Sequence, residues 1–277
     1  MTPTFAPLRG SLAVIELSFD PQLHLGAVVV PLRAIALAMV IALALIVFTR
    51  AVRARAGAVP TGDIAFVVLA AIPGAVVGGR LLYGLDFHDA YALAPASLLD
   101  LGRGSLSLAG AVMGGALTSA YVCRQLGGRV GTWADAAAVP LLLAIGGGKL
   151  AMLLGGAGQG LPWGGRGGVA FLGAGPWGSA DAAIPAYPTQ VLEGCWALLG
   201  IPVVLALERR LGRGDRAGRG LVLLVAVAWW LAGRAAVAVW WRDEPVLGPW
   251  GIEGVIAIVV AVTALVLIVV TLRRRPR

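Results

Sequence analysis

Cysteines, histidines and charged residues are scarce in this 277-residue sequence. Only 13% of the residues are charged, and the chain has two cysteines, two histidines and a single lysine. Cys123 and Cys195 lack the spacing of a metal or redox site, so the sequence indicates neither a disulfide nor a thiol nucleophile. The histidines belong to no cluster of metal-ligating residues, and the many glycines form no phosphate-binding loop after a strand. We therefore expect neither a metal nor a cofactor.

Hydrophobic residues are abundant instead, at 59% of the chain with a mean hydropathy of +0.88. They fall in long runs rather than at amphipathic spacing, which is typical of helices that cross a membrane. The chain also has 40 glycines, many of them inside these runs, where they favour close approach between helices. The composition argues against a soluble domain and predicts an all-α, polytopic membrane protein.

Seven apolar runs are long enough to cross about 30 Å of hydrocarbon at about 1.5 Å per residue. They cover residues 27–49, 63–84, 105–123, 133–154, 187–207, 220–241 and 251–271. Residues 155–186 are too rich in glycine and too weakly apolar to form another span. We therefore predict a single transmembrane domain over residues 1–277, with residues 155–186 inserted as a small extracytoplasmic head.

The distribution of arginine predicts the orientation of the spans. Fourteen arginines follow the first, third, fifth and seventh spans, whereas the intervening segments carry only Arg9, Arg103, Arg166 and Arg242. Because cytoplasmic loops carry the excess of basic residues, the N-terminus is expected outside the cell and the C-terminus in the cytoplasm. The net charge of +8 thus reflects topology and does not indicate nucleic acid as a partner.

Four basic residues lie within the spans themselves, namely Arg33, Arg80, Lys149 and Arg234. Each is about 6 to 11 Å below the predicted outer face, and Glu193 in the fifth span is at the same level. A charge inside a span costs at least ~2.5 kcal/mol and by default indicates a functional site. For any single residue, a side chain that extends up into the headgroups is an alternative explanation. Four cations at one level favour a site for an anionic lipid phosphate.

Five segments of the sequence resemble the bacterial prolipoprotein diacylglyceryl transferases, integral membrane enzymes with seven helices. "GGGKLAMLLGGAGQG" (146–160) is similar to the family's Gly-Arg-x-Gly-Asn-x-x-Asn-Gly-Glu signature. "GGRLLYGLDF" (78–87) resembles its Gly-Gly-Arg-x-x-Tyr segment, and "YPTQVLEG" (187–194) resembles its His-Pro-Ser-Gln-x-Tyr-Glu segment. The other two segments are "GSLSLAGAVMGG" (104–115) and "GRAAVAVWWRDEP" (233–245). Their order and spacing imply the fold of this family.

The resemblance also implies which residues form the site. Lys149 stands at the essential arginine of the signature, and we expect Lys149 and Arg234 to be the catalytic residues. Four basic residues are expected to contact the lipid phosphate: Arg80, Lys149, Arg234 and Arg242. Tyr83, Gln190 and Glu193 are expected in supporting roles, with Glu193 neutralising one of the buried cations.

The chain departs from the family pattern at several of these positions. An arginine-to-lysine exchange at Lys149 keeps the charge but loses the two-pronged guanidinium. Arg234 lies one residue too far upstream of the family position, although Arg242 matches the trailing arginine of that helix. Six further positions do not carry the polar residue that the family has there. They are Ala109, Met152, Gly155, Ala157, Tyr187 and Val239. These departures argue for weakened or altered activity.

The family transfers a diacylglyceryl group from phosphatidylglycerol to the thiol of the lipobox cysteine in a preprolipoprotein, and releases glycerol phosphate. The resemblance therefore implies that the partners are phosphatidylglycerol, preprolipoprotein signal peptides and membrane lipids, in the bacterial plasma membrane. Two alternatives stay open. The first alternative to a working transferase is a non-catalytic relative that binds an anionic lipid or a membrane partner. The second is a small transporter whose cations line an anion pathway. The transporter is disfavoured because nothing basic continues the path inward.

Overall fold

The structure of this chain is a computed structural model that describes residues 14–92, 95–100, 106–173, 175–179, 181–211 and 219–273. Within these ranges, seven long helices and one short helix account for most of the chain. The helices are α1 (Leu32–Ala56), α2 (Thr61–Asp86), α3 (His88–Ala92), α4 (Leu108–Gln125), α5 (Val130–Leu153), α6 (Thr189–Leu211), α7 (Leu221–Val237) and α8 (Ile252–Arg273). The strands are β1 (Ile15–Leu17), β2 (Gln22–Leu25), β3 (Val28–Pro31) and β4 (Val169–Phe171).

The prediction of an all-α, polytopic membrane protein is confirmed. Six of the long helices are both long and apolar enough to cross a membrane, if α7 is counted with the 3₁₀ turn Ala238–Trp240 that continues it. The remaining long helix, α4, has 18 residues and packs along α2. The direction in which the bundle crosses the membrane stays a prediction.

The first span was predicted to begin too early. Val28–Pro31 form a strand that pairs antiparallel with β2 across a turn at Gly26, whose φ is 63°, and α1 begins only at Leu32. Consecutive β-branched valines favour extended backbone, and Pro31, with φ −63° and ψ 132°, stands immediately before the helix. The apolar run is continuous through strand and helix, so hydropathy alone did not separate them. The other predicted boundaries differ from the structure by a few residues, except that α1 extends to Ala56.

Glycines bring α2 and α4 into direct backbone contact. A Cβ on Gly114 would collide with the carbonyl oxygen of Gly74, and a Cβ on Gly110 would collide with that of Gly78. Two facing glycine pairs of this kind let neighbouring helices approach closely, where dispersion contacts hold them together without a hydrophobic driving force. The abundance of glycine thus serves packing, as the composition indicated.

The main core lies among α5, α6, α7 and α8. It contains Leu142, Ala197, Trp230 and Ala257, all essentially inaccessible to solvent. Further contacts fix α6 against α7: the rings of Trp196 and Trp229 stack 4.4 Å apart, and each indole N–H donates to the other residue's carbonyl oxygen. This core sets the relative positions of the four helices that carry the site described below.

A carboxylate from one helix caps another. Asp135 is buried in α5, and its Oδ1 accepts a hydrogen bond from the Val222 N–H at 2.8 Å while its Oδ2 accepts one from Gly220 at 3.2 Å. The first N–H groups of a helix have no partner within the helix, so this cap satisfies the start of α7. The contact fixes where α7 begins and so positions the residues at its other end.

The segment between α5 and α6, residues 155–186, folds on the ends of these two helices, and we call it the head. Its strand β4 pairs in parallel with β1, and Val169 and Phe171 are buried with Ala182. The side chain of Gln159 donates to the Val169 carbonyl oxygen at 3.0 Å. The head is therefore held in place by its pairing with β1 and by the hydrogen bond from Gln159 to its own strand β4. That it lies outside the membrane as a separate insertion stays a prediction.

Candidate functional site

Four charged side chains come together where four helices end near the head. Lys149 lies near the end of α5, which leads into the head, and Glu193 lies near the start of α6, which leaves it. Arg234 is in the last turn of α7, and Glu253 is in the first turn of α8. The antiparallel arrangement of consecutive helices therefore brings all four residues to one level of the bundle. We call these four residues the charged cluster.

Glu193 stands at the centre of the charged cluster. Its Oε2 lies 2.7 Å from the Lys149 ammonium, and its Oε1 lies 2.7 Å from Nη1 of Arg234. The indole N–H of Trp230 also donates to Oε1, at 3.4 Å. The other terminal nitrogen of Arg234, Nη2, lies 2.7 Å from Glu253 Oε2. A single chain of ion pairs thus runs across α5, α6, α7 and α8.

The ring of Trp241 covers one side of this chain of ion pairs. The guanidinium carbon of Arg234 lies 4.3 Å from the ring centroid of Trp241, and the Lys149 ammonium lies 5.6 Å from the same centroid. Such contacts stabilise a cation, and more so where water is excluded. Trp241 follows the 3₁₀ turn at the end of α7, so the same helix supplies both the arginine and its aromatic cover.

The charges of the cluster balance one another. Two cations face two carboxylates, and the side chains of Glu193, Arg234 and Glu253 are 0%, 5% and 9% exposed. Buried charges are tolerated only when they are paired and hydrogen-bonded. The carboxylates are near helix N-termini and Arg234 is near a helix C-terminus, so the helix dipoles favour each charge. Glu193 pairs with both cations of the cluster, and its supporting role in the site stays a prediction.

Gln190 lies three residues before Glu193 and on the same face of α6. Its side chain is 1% exposed, and neither its amide nitrogen nor its amide oxygen has a hydrogen-bond partner among the residues that the structure describes. A buried amide of this kind is costly unless a partner satisfies it. Gln190 is therefore a candidate to contact a polar ligand beside the charged cluster.

The structure places Arg80 and Tyr83 on α2. Arg80 is buried, and its guanidinium donates to the carbonyl oxygen of Asp100 in the connection after that helix. The Tyr83 ring packs against Phe87 and Tyr91, with ring centroids 4.6 Å and 6.3 Å away. These contacts tie α2 to its own connection. Neither residue belongs to the chain of ion pairs around Glu193.

The structure places Arg242 and Arg33 beside the head. The Arg242 Nε donates to the Gly160 carbonyl oxygen at 2.7 Å, and its Nη1 lies 3.3 Å from Asp181 Oδ2. The aliphatic part of Arg33 lies against Gly155, where a Cβ would approach the Arg33 Cδ to 2.7 Å. Of the four expected phosphate contacts, only Lys149 and Arg234 are therefore joined through a common carboxylate.

Sequence reasoning missed Glu253 and Trp241. Glu253 is an isolated acidic residue in the predicted span 251–271, and the rule that singled out the four cations applies to it equally. Trp241 stands near the end of the predicted span 220–241, where a tryptophan is usually an interfacial anchor. Its contact with Arg234 depends on how the chain turns after α7, which no sequence pattern shows. Tyr187, at a family histidine, stacks instead between Trp163 and Trp240.

One acidic residue outside the spans is electrostatically coupled to the charged cluster. Desolvation and the negative charge of Glu253 raise the pKa of Asp243 above its ordinary value, and Arg234 and Lys149 oppose the shift. Asp243 lies in the connection between α7 and α8. The connection between α7 and α8 therefore carries an acidic residue that the charges of the cluster influence.

Comparison with known proteins agrees with this architecture. A profile described as prolipoprotein diacylglyceryl transferase matches residues 22–270. The phosphatidylglycerol-prolipoprotein diacylglyceryl transferase of Frankia alni is 35% identical over 223 residues, which are 76% of this chain and 55% of that protein. Proteins of the same description from Leifsonia xyli and Geobacter sulfurreducens are 32% and 29% identical, over 65% and 72% of this chain and 56% and 73% of their own lengths. The chain thus spans just over half of the first two relatives.

Proposed function

Because this chain belongs to the prolipoprotein diacylglyceryl transferase family, we propose that it transfers a diacylglyceryl group from phosphatidylglycerol to the lipobox cysteine thiol of preprolipoproteins. The reaction would take place at the outer face of the bacterial plasma membrane. The observation that carries this proposal is the position of Lys149. It matches the family's essential arginine, lies at the head end of the bundle and is the most exposed cation of the charged cluster, at 16%.

Lys149 would act on the phosphate of the lipid. In the proposed reaction the cysteine thiol first loses its proton to water. The sulfur then forms a bond to the glyceryl carbon, the bond from that carbon to the phosphate oxygen breaks, and glycerol phosphate leaves with the electron pair. A fixed cation beside that oxygen stabilises the charge that develops on it. The same positive charge favours ionisation of a thiol whose ordinary pKa is about 8.5. The chain itself supplies no covalent nucleophile.

The remaining candidates would act around this centre. The sequence predicted Arg234 as a catalytic residue and phosphate contact, but it would instead hold Glu193 in place, because its two terminal nitrogens pair with Glu193 and Glu253. Gln190 offers a donor and an acceptor that match the hydroxyl groups of a glycerol headgroup. Arg80 would contact the phosphate from α2, with Tyr83 supporting that helix end, and Arg242 would contact it from beside the head. The predicted partners are therefore phosphatidylglycerol and the signal peptide of a preprolipoprotein.

A second candidate function is binding without transfer. It is favoured by the loss of polar side chains at Ala109, Ala157 and Tyr187, since the family has histidine or glutamate there. A relative of this kind would keep the lipid site and bind an anionic lipid or a membrane partner. The charged cluster is compatible with both functions, because each requires recognition of a phosphate.

Complementation separates the two functions. The chain would be expressed in a bacterium depleted of its own diacylglyceryl transferase, and the mass of a lipoprotein reporter would be measured. The proposal predicts a diacylglyceryl increment on the lipobox cysteine, which Lys149→Ala abolishes. An unmodified reporter, with the protein folded in the membrane, would contradict transfer and support the binding function.

A further inference from the structure

Both terminal nitrogens of Arg234 pair with carboxylates, whereas its buried Nε has no hydrogen-bond partner among the residues that the structure describes. Nη1 pairs with Glu193 and Nη2 pairs with Glu253, both at 2.7 Å, and the Trp241 ring covers the guanidinium. Two carboxylates thus hold the two ends of one planar group. An arginine binds a phosphate most strongly with two parallel N–H groups, and each such pair includes a terminal nitrogen, which a carboxylate holds here. Arg234 is therefore fixed between α6 and α8.

Lys149 has fewer ion-pair partners than Arg234. Among the described residues its ammonium pairs with one carboxylate, Glu193, and its side chain is 16% exposed, whereas that of Arg234 is 5% exposed. An ammonium has three donors, so Lys149 retains donors for another acceptor. If Lys149 turns to an incoming anion, Glu193 still has Arg234 and does not become an isolated buried charge. The cluster is built so that one cation can exchange its partner.

We propose that Glu253 is a positioning residue for anionic lipid: together with Glu193 it keeps the Arg234 guanidinium away from the lipid, so that Lys149 is the one cation of the charged cluster that exchanges its carboxylate for the phosphate. This proposal deepens the proposed function and rests on it for the identity of the lipid. Glu253 would therefore control the affinity of the site for an anion.

The net charge of the cluster shows how Glu253 affects the affinity for an anion. The empty cluster is neutral, and binding one lipid phosphate gives it a net charge of −1. Without the Glu253 carboxylate the occupied cluster would be neutral, and the anion would bind more tightly. A product that carries more negative charge than the lipid, such as glycerol phosphate, is repelled more strongly by the same carboxylate. Glu253 therefore limits affinity and favours release.

Lipid binding by this 277-residue chain tests the proposal directly. The purified protein in neutral detergent would be titrated with phosphatidylglycerol and with phosphatidylcholine of the same acyl chains, because the latter has the phosphate but no net charge. Glu253→Gln is expected to tighten phosphatidylglycerol binding about tenfold and to leave phosphatidylcholine binding unchanged. The matched control Glu253→Asp keeps the charge and is expected to bind like the parent.

A second variant can still refute the proposal if Glu253→Gln does not fold, because it tests whether Lys149 exchanges its partner. Lys149→Met removes the exchangeable cation but leaves Glu193 paired with Arg234, and it is expected to lose the preference for phosphatidylglycerol over phosphatidylcholine. If Lys149→Met keeps that preference, or if folded Glu253→Gln binds phosphatidylglycerol no more tightly, the proposal is wrong. Binding is measured without transfer, so an unmodified lipoprotein reporter would reject the proposed function and leave this result standing.

Discussion

Glu193 on α6 and Arg234 on α7 form an ion pair of 2.7 Å in which neither side chain is more than 5% exposed. Removing one partner of such a pair leaves an uncompensated buried charge, which typically costs about 3–5 kcal/mol. Glu193 also balances Lys149, so Glu193→Gln leaves two cations with one remaining carboxylate. We expect the free energy of unfolding in detergent to fall by about this amount.

The matched control for Glu193 is Glu208. It pairs with Arg55 between α6 and α1, but these side chains are 21% and 28% exposed. An ion pair that is accessible to solvent is worth about 0–1 kcal/mol, so Glu208→Gln is expected to change stability little. Equal losses for the two variants would show that the Glu193 pair is not effectively buried.

The Asp135 cap gives a second prediction, at the start of α7. Asp135→Ala removes the acceptor of the Val222 and Gly220 N–H groups and is expected to destabilise the protein by about 1–2 kcal/mol. Asp135→Asn keeps one acceptor oxygen and is expected to lose less. Hydrogen exchange of the first turn of α7 should accelerate in Asp135→Ala. Unchanged exchange there would mean that the helix start is held by other contacts.

Gln190 gives a prediction in which stability and function change in opposite directions. Its amide is buried without a partner among the described residues, so Gln190→Leu is expected to raise the free energy of unfolding by up to about 1 kcal/mol. If the amide contacts the glycerol headgroup, the same variant raises KM for phosphatidylglycerol about tenfold. It should also reduce the preference for phosphatidylglycerol over phosphatidic acid, which lacks that glycerol. A variant that is less stable and has unchanged KM would contradict this role.

Stability should depend on pH through Asp243. Its pKa is raised in the folded protein, so the folded state binds the proton more tightly than the unfolded state. The ionised carboxylate therefore destabilises the fold above its raised pKa, and this effect disappears as the pH falls below the ordinary carboxyl value. We expect Asp243→Asn to be more stable than the parent at pH 7.5 and equal to it near pH 3.5. Thermal unfolding at both pH values measures the difference, and a constant difference would rule out titration of Asp243.

Hydropathy predicted the bundle because a membrane-spanning helix depends on its own sequence. All seven apolar runs correspond to helices, since backbone groups in lipid must be satisfied within each segment. The hairpin before α1 was missed because Val28–Pro31 are as apolar as the helix that follows. Strand pairing depends on a second segment, and a sliding average over one segment contains no information about it.

The charged cluster was predicted only in part, because contacts between different segments cannot be read from the sequence of one segment. The sequence placed Lys149, Arg234 and Glu193 at one level, because depth follows from position along a span. It did not show that α8 packs beside α7, and this contact brings Glu253 to Arg234. Nor did it show that Arg242 binds the carbonyl oxygen of Gly160 in the head. Depth is a local property, whereas lateral neighbours depend on how the helices pack.

The central claim is that Lys149 acts on the lipid phosphate, and transfer by the purified protein tests it most directly. Phosphatidylglycerol and a lipobox peptide would be incubated with the parent, Lys149→Ala and Lys149→Arg, and the diacylglyceryl-modified peptide would be quantified by mass. We predict that Lys149→Ala abolishes transfer, and that Lys149→Arg, which adds a second N–H donor toward the phosphate, transfers at least as fast as the parent. Equal rates for the parent and Lys149→Ala would contradict the account, because the charged cluster would then have no part in the chemistry.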